Sequence, residues 1–422
     1  MHFPAAPGIA GRDHRHGQSH AHEITACRQC GTFQRLWRVP VHTAFFCRTC
    51  TTLLTRTRLR NRRAALACTL AALLLFVPAN LLPFLTTHFL GGSRESLLAS
   101  SAAAMFGNGW PELAIVMALF ILVLPFVRFI LLAAVLGSLE LGRRPPWLGR
   151  AFRYATALET WAMCDVFLLG LAVSYARLQT SIDITLGVGA MCFIAVGILT
   201  LFVRAMLDKD AVWQQIVPSE HAGVASEMVA CPGCEMVLPQ HCEGQGCPRC
   251  QATVRRRKPD AVGRAIALTL AGVLLYIPAN IYPMATLPSG FKSVQYTIMQ
   301  GVVDLADAKL LGLALLVFTA SFAIPVLKLA GLSWCILSVL LKSRRHLMAK
   351  TWVYRVVEEI GRWSMVDPFV IACFVPVTGY NARQFGRADA AAPIFTAVVI
   401  LTIVAARCFD SRLMWDRPGA RK

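Results

Sequence analysis

The chain of 422 residues is 56% hydrophobic and only 15% charged, with a formal net charge of +19. That balance excludes an ordinary soluble domain, in which about a quarter of the residues are charged. The positive excess does not point to nucleic acid, because the arginines gather in short segments between apolar runs, where membrane topology places them.

The first 22 residues are polar and carry His14, His16, His20 and His22. A disordered tail is the expected reading, with metal binding as the alternative. Residues 1–60 hold no apolar stretch of the kind a cleavable signal needs, so the first span is expected to act as its own insertion signal.

Residues 23–55 contain Cys27-Arg-Gln-Cys30 and Cys47-Arg-Thr-Cys50. Residues 227–255 contain Cys231-Pro-Gly-Cys234 and Cys247-Pro-Arg-Cys250. Behind each cluster comes the same order of marks. Phe76-Val-Pro-Ala-Asn-Leu-Leu-Pro83 is answered by Tyr276-Ile-Pro-Ala-Asn-Ile-Tyr-Pro283, and Leu124-Pro-Phe-Val-Arg128 by Ile324-Pro-Val-Leu-Lys328. Trp161-Ala-Met-Cys-Asp165 is answered by Trp363-Ser-Met-Val-Asp367. A fixed offset over so many marks is the signature of duplication.

Runs of about 18 or more apolar residues cross a bilayer as helices. Four are predicted per half, at 64–85, 113–136, 158–175 and 186–207, then at 265–281, 310–337, 365–377 extended upstream, and 391–406. The fold expected is an all-α polytopic membrane protein built from two tandem repeats of four transmembrane helices, each preceded by a small four-cysteine ribbon. The membrane units are expected at 56–210 and 256–411, with a linker at 211–226 and a closing tail at 412–422.

Basic residues settle the expected orientation. Arg56, Arg58, Arg60, Arg62 and Arg63 precede the first span, and Arg143, Arg144, Arg150 and Arg153 lie between the second and third. Arg255, Arg256, Arg257, Lys258 and Arg264 precede the fifth, Lys342, Arg344, Arg345 and Lys350 follow the sixth, and Arg412 to Lys422 close the chain. The alternate loops are nearly neutral. The positive-inside rule then puts both termini and both ribbons in the cytoplasm. With an even number of spans per half, the repeats are parallel and related by an axis along the membrane normal.

A reducing compartment disfavours disulfides. Paired Cys-x-x-Cys knuckles separated by 16 residues in one ribbon and 12 in the other supply four thiolates each, as a closed structural zinc site requires. The expected cofactor is therefore zinc, one ion per ribbon on Cys27, Cys30, Cys47 and Cys50 and on Cys231, Cys234, Cys247 and Cys250, with rubredoxin-like iron as the rival. Cys242 reads as a spare, and the cysteines in the spans as small core residues.

Four ionisable residues fall inside or at the start of spans: Arg128 and Lys328, and Asp165 and Asp367. Each costs roughly 2.5–3.5 kcal/mol by insertion scales and is expected to face a partner or water. The pairings expected are Arg128 with Asp165 and Lys328 with Asp367. One reading is a structural ion pair, the other a site for a charged headgroup or a proton. Around Lys328 the second half adds Ser321, Ser364 and Thr402, where the first half keeps only Thr200. The working site is therefore expected in the second half, with helix-to-helix hydrogen bonding as the competing explanation. Pro78 and Pro83, like Pro278 and Pro283, are expected to break or end the first helix of each half, lining a cavity or making a simple kink.

These marks, with Gly361-Arg-Trp-Ser-Met-Val-Asp367-Pro-Phe and Phe409-Asp-Ser-Arg-Leu-Met-Trp415-Asp, resemble the paraquat-inducible protein A family over nearly the whole chain. The resemblance implies an inner-membrane protein of Gram-negative bacteria, encoded beside a partner whose MCE domains form a tunnel across the periplasm. It further implies phospholipid as the cargo, loaded or unloaded at the base of that tunnel. The family's polar network falls here on Ser321, Lys328, Ser364, Asp367 and Thr402.

The sequence holds no Gly-x-x-x-x-Gly-Lys-Ser/Thr loop for ATP, and no histidine pair in the spans to hold haem. A non-enzymatic transport subunit is expected. The competing class is a membrane scaffold or assembly factor for an envelope complex, with no transport step of its own.

Overall fold

The computed structural model describes residues 23–36, 44–56, 61–89, 92–107, 111–178, 183–218, 228–283, 285–289, 292–307, 309, 311–343, 345–366, 369–370 and 391–416. The N-terminal histidines, Asp367 and most of the expected span at 365–377 lie outside these residues.

Each half begins with a ribbon made of short antiparallel pairs. In the first, β1 (Glu23–Ala26) pairs with β2 (Phe33–Leu36) around Cys27 and Cys30, and β3 (Ala44–Phe46) pairs with β4 (Leu53–Arg56) around Cys47 and Cys50. Helix α1 (Arg62–Leu81) follows, its first turn capped by Asn61, whose side-chain oxygen accepts from the Ala64 amide at 3.2 Å.

Pro78 lies inside α1 and does not break it, and the helix ends before Pro83. Leu82 is pushed into extended backbone, with φ −95° and ψ 158°, as the residue before a proline ordinarily is. Asn80 explains part of the tolerance for Pro78: its Nδ2 donates to the Phe76 carbonyl at 2.6 Å, adding a side-chain bond in the turn the proline disturbs.

The chain then leaves helix altogether. Strands β5 (Pro83–Phe89) and β6 (Gly92–Leu97) form a hairpin, and β7 (Asp183–Leu186) later pairs with the other edge of β5. The all-α expectation therefore needs correcting at this end. Alternation is short here, and it is masked by the continuous apolar run before it.

Helix α2 (Leu98–Gly107) leads into a span of 30 residues, Pro111–Glu140. It consists of α3 (Pro111–Met117), a π-helical stretch Ala118–Val123 and α4 (Leu124–Glu140). The π turn comes just before Pro125, which has no N–H to return to the preceding turn. The Phe120 carbonyl accepts instead from the Met163 amide of a neighbouring segment, at 3.3 Å.

Helix α5 (Leu148–Leu158) lies at the ribbon end, followed by α6 (Cys164–Leu178), α7 (Val188–Met206) and α8 (Lys209–Ile216). The third span thus starts at Cys164 and not at Leu158. Its apolar part, Cys164–Ala176, is shorter than the bilayer's hydrocarbon core. Because β7 pairs with β5, the chain nevertheless returns to the hairpin end along α6. Helix α8 occupies the start of what reads in the sequence as a linker.

The second half repeats this order. A ribbon with β8 (Met228–Ala230) and β9 (Val237–Pro239) precedes α9 (Ala261–Ile281), which contains Pro278 and stops before Pro283. Asn280 donates to the Tyr276 carbonyl at 2.8 Å, as Asn80 does to Phe76. Then come the hairpin of β10 (Ala285–Ser289) and β11 (Lys292–Tyr296), and helices α10 (Ile298–Asp307) and α11 (Leu311–Phe318). A second π turn, Thr319–Ala323, again falls just before a proline, Pro325. Helices α12 (Ile324–Leu340), α13 (Leu347–Ile360) and α14 (Ala391–Cys408) complete the unit.

Among the described residues six helices are long and apolar enough to cross a membrane, three per half. The chain is a mostly helical, multi-pass membrane protein. One apolar core runs through both halves, and α6 meets the second half where the rings of Phe167 and Phe369 lie 5.8 Å apart.

The ribbons are crossed. The second packs on the first half: Val229, Met236, Leu238 and Val254 share a core with Leu148, Phe152, Trp213 and Ile216. The first ribbon reaches the end of the second half instead. Ser411 donates to the Gln29 carbonyl and side chain at 3.1 and 2.7 Å, and Trp415 packs against the cysteine cluster. Thr55 of the same ribbon also bonds Asp210 of α8 at 3.0 Å, so it holds both halves.

Candidate metal centres and the buried lysine

All four Cys-x-x-Cys turns have one backbone design. The residue after the second cysteine takes a left-handed φ: Gly31 at 76°, Thr51 at 55°, Glu235 at 61° and Gln251 at 58°. Its amide returns to the carbonyl of the first cysteine at 2.8–3.0 Å in every case. This tight loop points two thiols to one side. In each ribbon the four Sγ atoms lie within 4.8 Å of one another, and all eight cysteines are buried and free of disulfides.

Sulfurs of opposite knuckles stand 3.4 Å apart at Cys27–Cys50, 3.5 Å at Cys30–Cys47 and Cys231–Cys250, and 3.6 Å at Cys234–Cys247. Four thiolates about 2.3 Å from a tetrahedral zinc stand roughly 3.8 Å apart, so both clusters fit that ion. Second contacts fit too. The Gly233 amide approaches Cys231 Sγ at 3.4 Å, and Gln34 Nε2 approaches Cys47 Sγ at 2.9 Å.

Lys328 sits on α12 five residues past the end of the second π turn and is only 2% exposed. Its Nζ donates to the Gly361 carbonyl at 3.2 Å and to Ser364 Oγ at 3.4 Å. Both partners are neutral and belong to the break between α13 and the next segment, where a tight turn Gly361–Met365 leaves a carbonyl free. Ser321 and Thr402 are also buried, but their hydroxyls bond their own helices, at Val317 and Val399. Of the sequence-derived set, the structure thus brings Lys328 and Ser364 into direct contact, while Asp367 lies outside the described residues.

The first half is wired differently from expectation. Arg128 meets Glu159, at 4.0 Å, and not Asp165. Asp165 pairs with Arg204 on α7 at 2.7 Å, and Arg204 also donates to the Glu159 carbonyl at 3.2 Å. Lys209 completes the network, 2.7 Å from Glu159. Burial works to raise the Glu159 carboxyl, but Lys209, Arg128 and Arg204 outweigh it and hold its pKa below the ordinary 4.5.

Glu159 and Gly361 occupy the same place in the two repeats, counted from Trp161 and Trp363. In the second half the carboxylate has gone, and Lys328 uses the backbone carbonyl instead. Glu159, Arg204 and Lys209 escaped the sequence reading, since they lie outside the apolar runs or at their edges, and Gly361 entered it only as part of a motif, not as a partner of Lys328.

The paraquat-inducible protein A model matches residues 63–217 and 262–418, one match per repeat. The chain belongs to the paraquat-inducible protein A family. It is 28% identical, over 96% of its length and 97% of the relative's, to the intermembrane transport protein PqiA of Escherichia coli (strain K12). It is 32% identical to the lipophilic envelope-spanning tunnel protein A of that strain, over 61% of this chain and 60% of the relative. A probable intermembrane transport protein of Haemophilus influenzae is 24% identical over 82% of this chain and 85% of its own. No solved structure matches the chain.

Proposed function

We propose that this protein is the inner-membrane subunit of a lipid transport system, loading or unloading phospholipid at a periplasm-spanning tunnel of MCE domains and so maintaining outer-membrane lipid composition. The names of the family relatives, intermembrane transport protein and lipophilic envelope-spanning tunnel protein, support a role between membranes. The turns after α4 and α12 carry Arg143, Arg144, Lys342 and Arg345 at the ribbon end, which supports a cytoplasmic placement of ribbons and termini. Zinc in each ribbon serves structure, with Cys27, Cys30, Cys47 and Cys50 holding one ion and Cys231, Cys234, Cys247 and Cys250 the other. A closed set of four thiolates leaves no position for water.

The observation that carries the transport reading is Lys328. A buried ammonium with only neutral partners among the described residues is costly, and an anionic headgroup or a proton relay through Asp367 relieves that cost. Ser364 supplies a hydroxyl beside it, and Ser321 and Thr402 are proposed to belong to the same polar network. The first-half counterparts, Arg128 and Asp165, already have charged partners and serve structure.

The test is mass spectrometry of lipids that co-purify with wild type and with Lys328→Ala, alone and with the MCE partner. Phospholipid held by wild type and depleted in the variant supports the reading. Equal lipid in both, with equal activity, contradicts it and favours a scaffold.

A further inference from the structure

At the ribbon end, between the two repeats, lies a cavity of about 1010 Å³. Its walls come from α5, α8 and the end of α7 on one side, and from α13 and the end of α14 on the other. The two ribbons and the segment before α9 contribute to its lining as well. Twelve basic and five acidic side chains line it, an excess of seven positive charges. Lys328 and Gly361 line it as well, so it extends to the buried lysine.

Several of these cations are already matched. Lys209 has Glu159, Arg257 has Asp416, and Lys258 donates to the carbonyls of Arg407 and Phe409 at the end of α14. Arg153 and Arg355 are not. They hold the same position in the two repeats, on α5 and α13, eight residues before Trp161 and Trp363. Neither has a carboxylate partner among the described residues, and Arg153 lies over the Tyr154 ring at 4.9 Å. Two guanidinium groups at equivalent positions of the repeats therefore line one basic cavity.

We infer that this cavity is a binding site for a phosphate-bearing anion, gripped by Arg153 and Arg355. Guanidinium groups bind phosphate oxygens through paired N–H donors. A cleft lined by one sign of charge concentrates the opposite ion, and basic pockets between transmembrane helices on the cytoplasmic side suit anionic headgroups. The anion's source is either an anionic phospholipid of the adjoining leaflet or a free phosphate compound. The inference rests on the transport reading only for the lipid source. Its test uses Arg153 and Arg355, whereas that reading is tested on Lys328, so the two fail separately.

The experiment uses the full chain in phosphatidylcholine nanodiscs. Trp213 and Trp352 line the cavity and report on it by fluorescence. One arm titrates inorganic phosphate and pyrophosphate. The other adds phosphatidylglycerol to the disc and counts retained molecules by native mass spectrometry. A saturable signal in the first arm marks a free anion as ligand, and retention confined to the second marks a headgroup. Arg153→Gln/Arg355→Gln should weaken whichever signal appears at least tenfold, with zinc content unchanged, whereas Arg143→Gln, outside the cavity, should leave it intact. If the double variant does not fold, Arg355→Lys decides, since it keeps the charge but loses the fork and should weaken binding about threefold. No signal in either arm, or equal signals in wild type and the arginine variants, would overturn the site.

Discussion

A Cβ on Gly149 of α5 would stand 1.8 Å from the Arg249 carbonyl of the second ribbon. The ribbon's backbone thus presses directly on the first half's helix, and only glycine admits that approach. Backbone cannot swing aside as a side chain can, so Gly149→Ala must move the ribbon. The expected cost is about 1–3 kcal/mol, typical of overpacking. Thermal unfolding of the purified protein reads it, together with faster zinc loss from one site of two. A variant as stable as wild type would mean that the contact is not held in solution.

Metal analysis should find about two zinc ions per chain, one per closed thiolate set. Replacing Cys231 or Cys247 by serine should remove one ion and lower the amount of protein in the membrane, because ligand binding supplies folding energy in so small a module. Replacing Cys27 should also loosen the end of the chain, since Ser411 and Trp415 dock on that ribbon. Iron in place of zinc, or one ion in total, would count against the assignment.

Glu159 gives a pH-dependent prediction. Burial pushes its carboxyl upward, but Lys209, Arg128 and Arg204 together outweigh that effect and keep the folded pKa below the ordinary 4.5. A depressed carboxyl contributes stability that is present above its unfolded pKa and lost as pH falls through the folded one. Glu159→Gln should therefore be clearly less stable than wild type at pH 7, with the gap closing only in acid below the ordinary glutamate range. A gap that stays constant from neutral pH into that acid range would show that the residue acts through packing alone.

Much of this architecture was legible because its signals are periodic or chemically specific. Eight cysteines in paired Cys-x-x-Cys knuckles announce two ribbons, and the Pro-Ala-Asn-x-x-Pro marks align the repeats. What escaped is what depends on a neighbour. Nothing local tells Arg128 to choose Glu159 over Asp165; in the fold Arg204 of α7 pairs with Asp165, and Arg128 meets Glu159. The π turns arise from Pro125 and Pro325, but their use appears only when Met163 supplies its amide to Phe120. The shortened α6 and the hairpins were hidden by apolar runs that read equally well as longer helices. The crossing of the ribbons is set by Trp415 and by Ser411, which lies 382 residues along the chain from the Gln29 it bonds.

The central claim is that Lys328 acts on a charged group and not only on packing. Lys328→Met keeps most of the side-chain volume and removes the charge, so it separates the two roles. It is best measured in cells that depend on this system for outer-membrane integrity, with membrane abundance of the variant followed alongside. Arg128→Met serves as the first-half control. Removing one partner of a buried ion pair costs about 3–5 kcal/mol, so this control should lose protein before it loses function. The account predicts that Lys328→Met is present at wild-type level in the membrane yet fails to protect the cell. Full protection by Lys328→Met at normal abundance would contradict it.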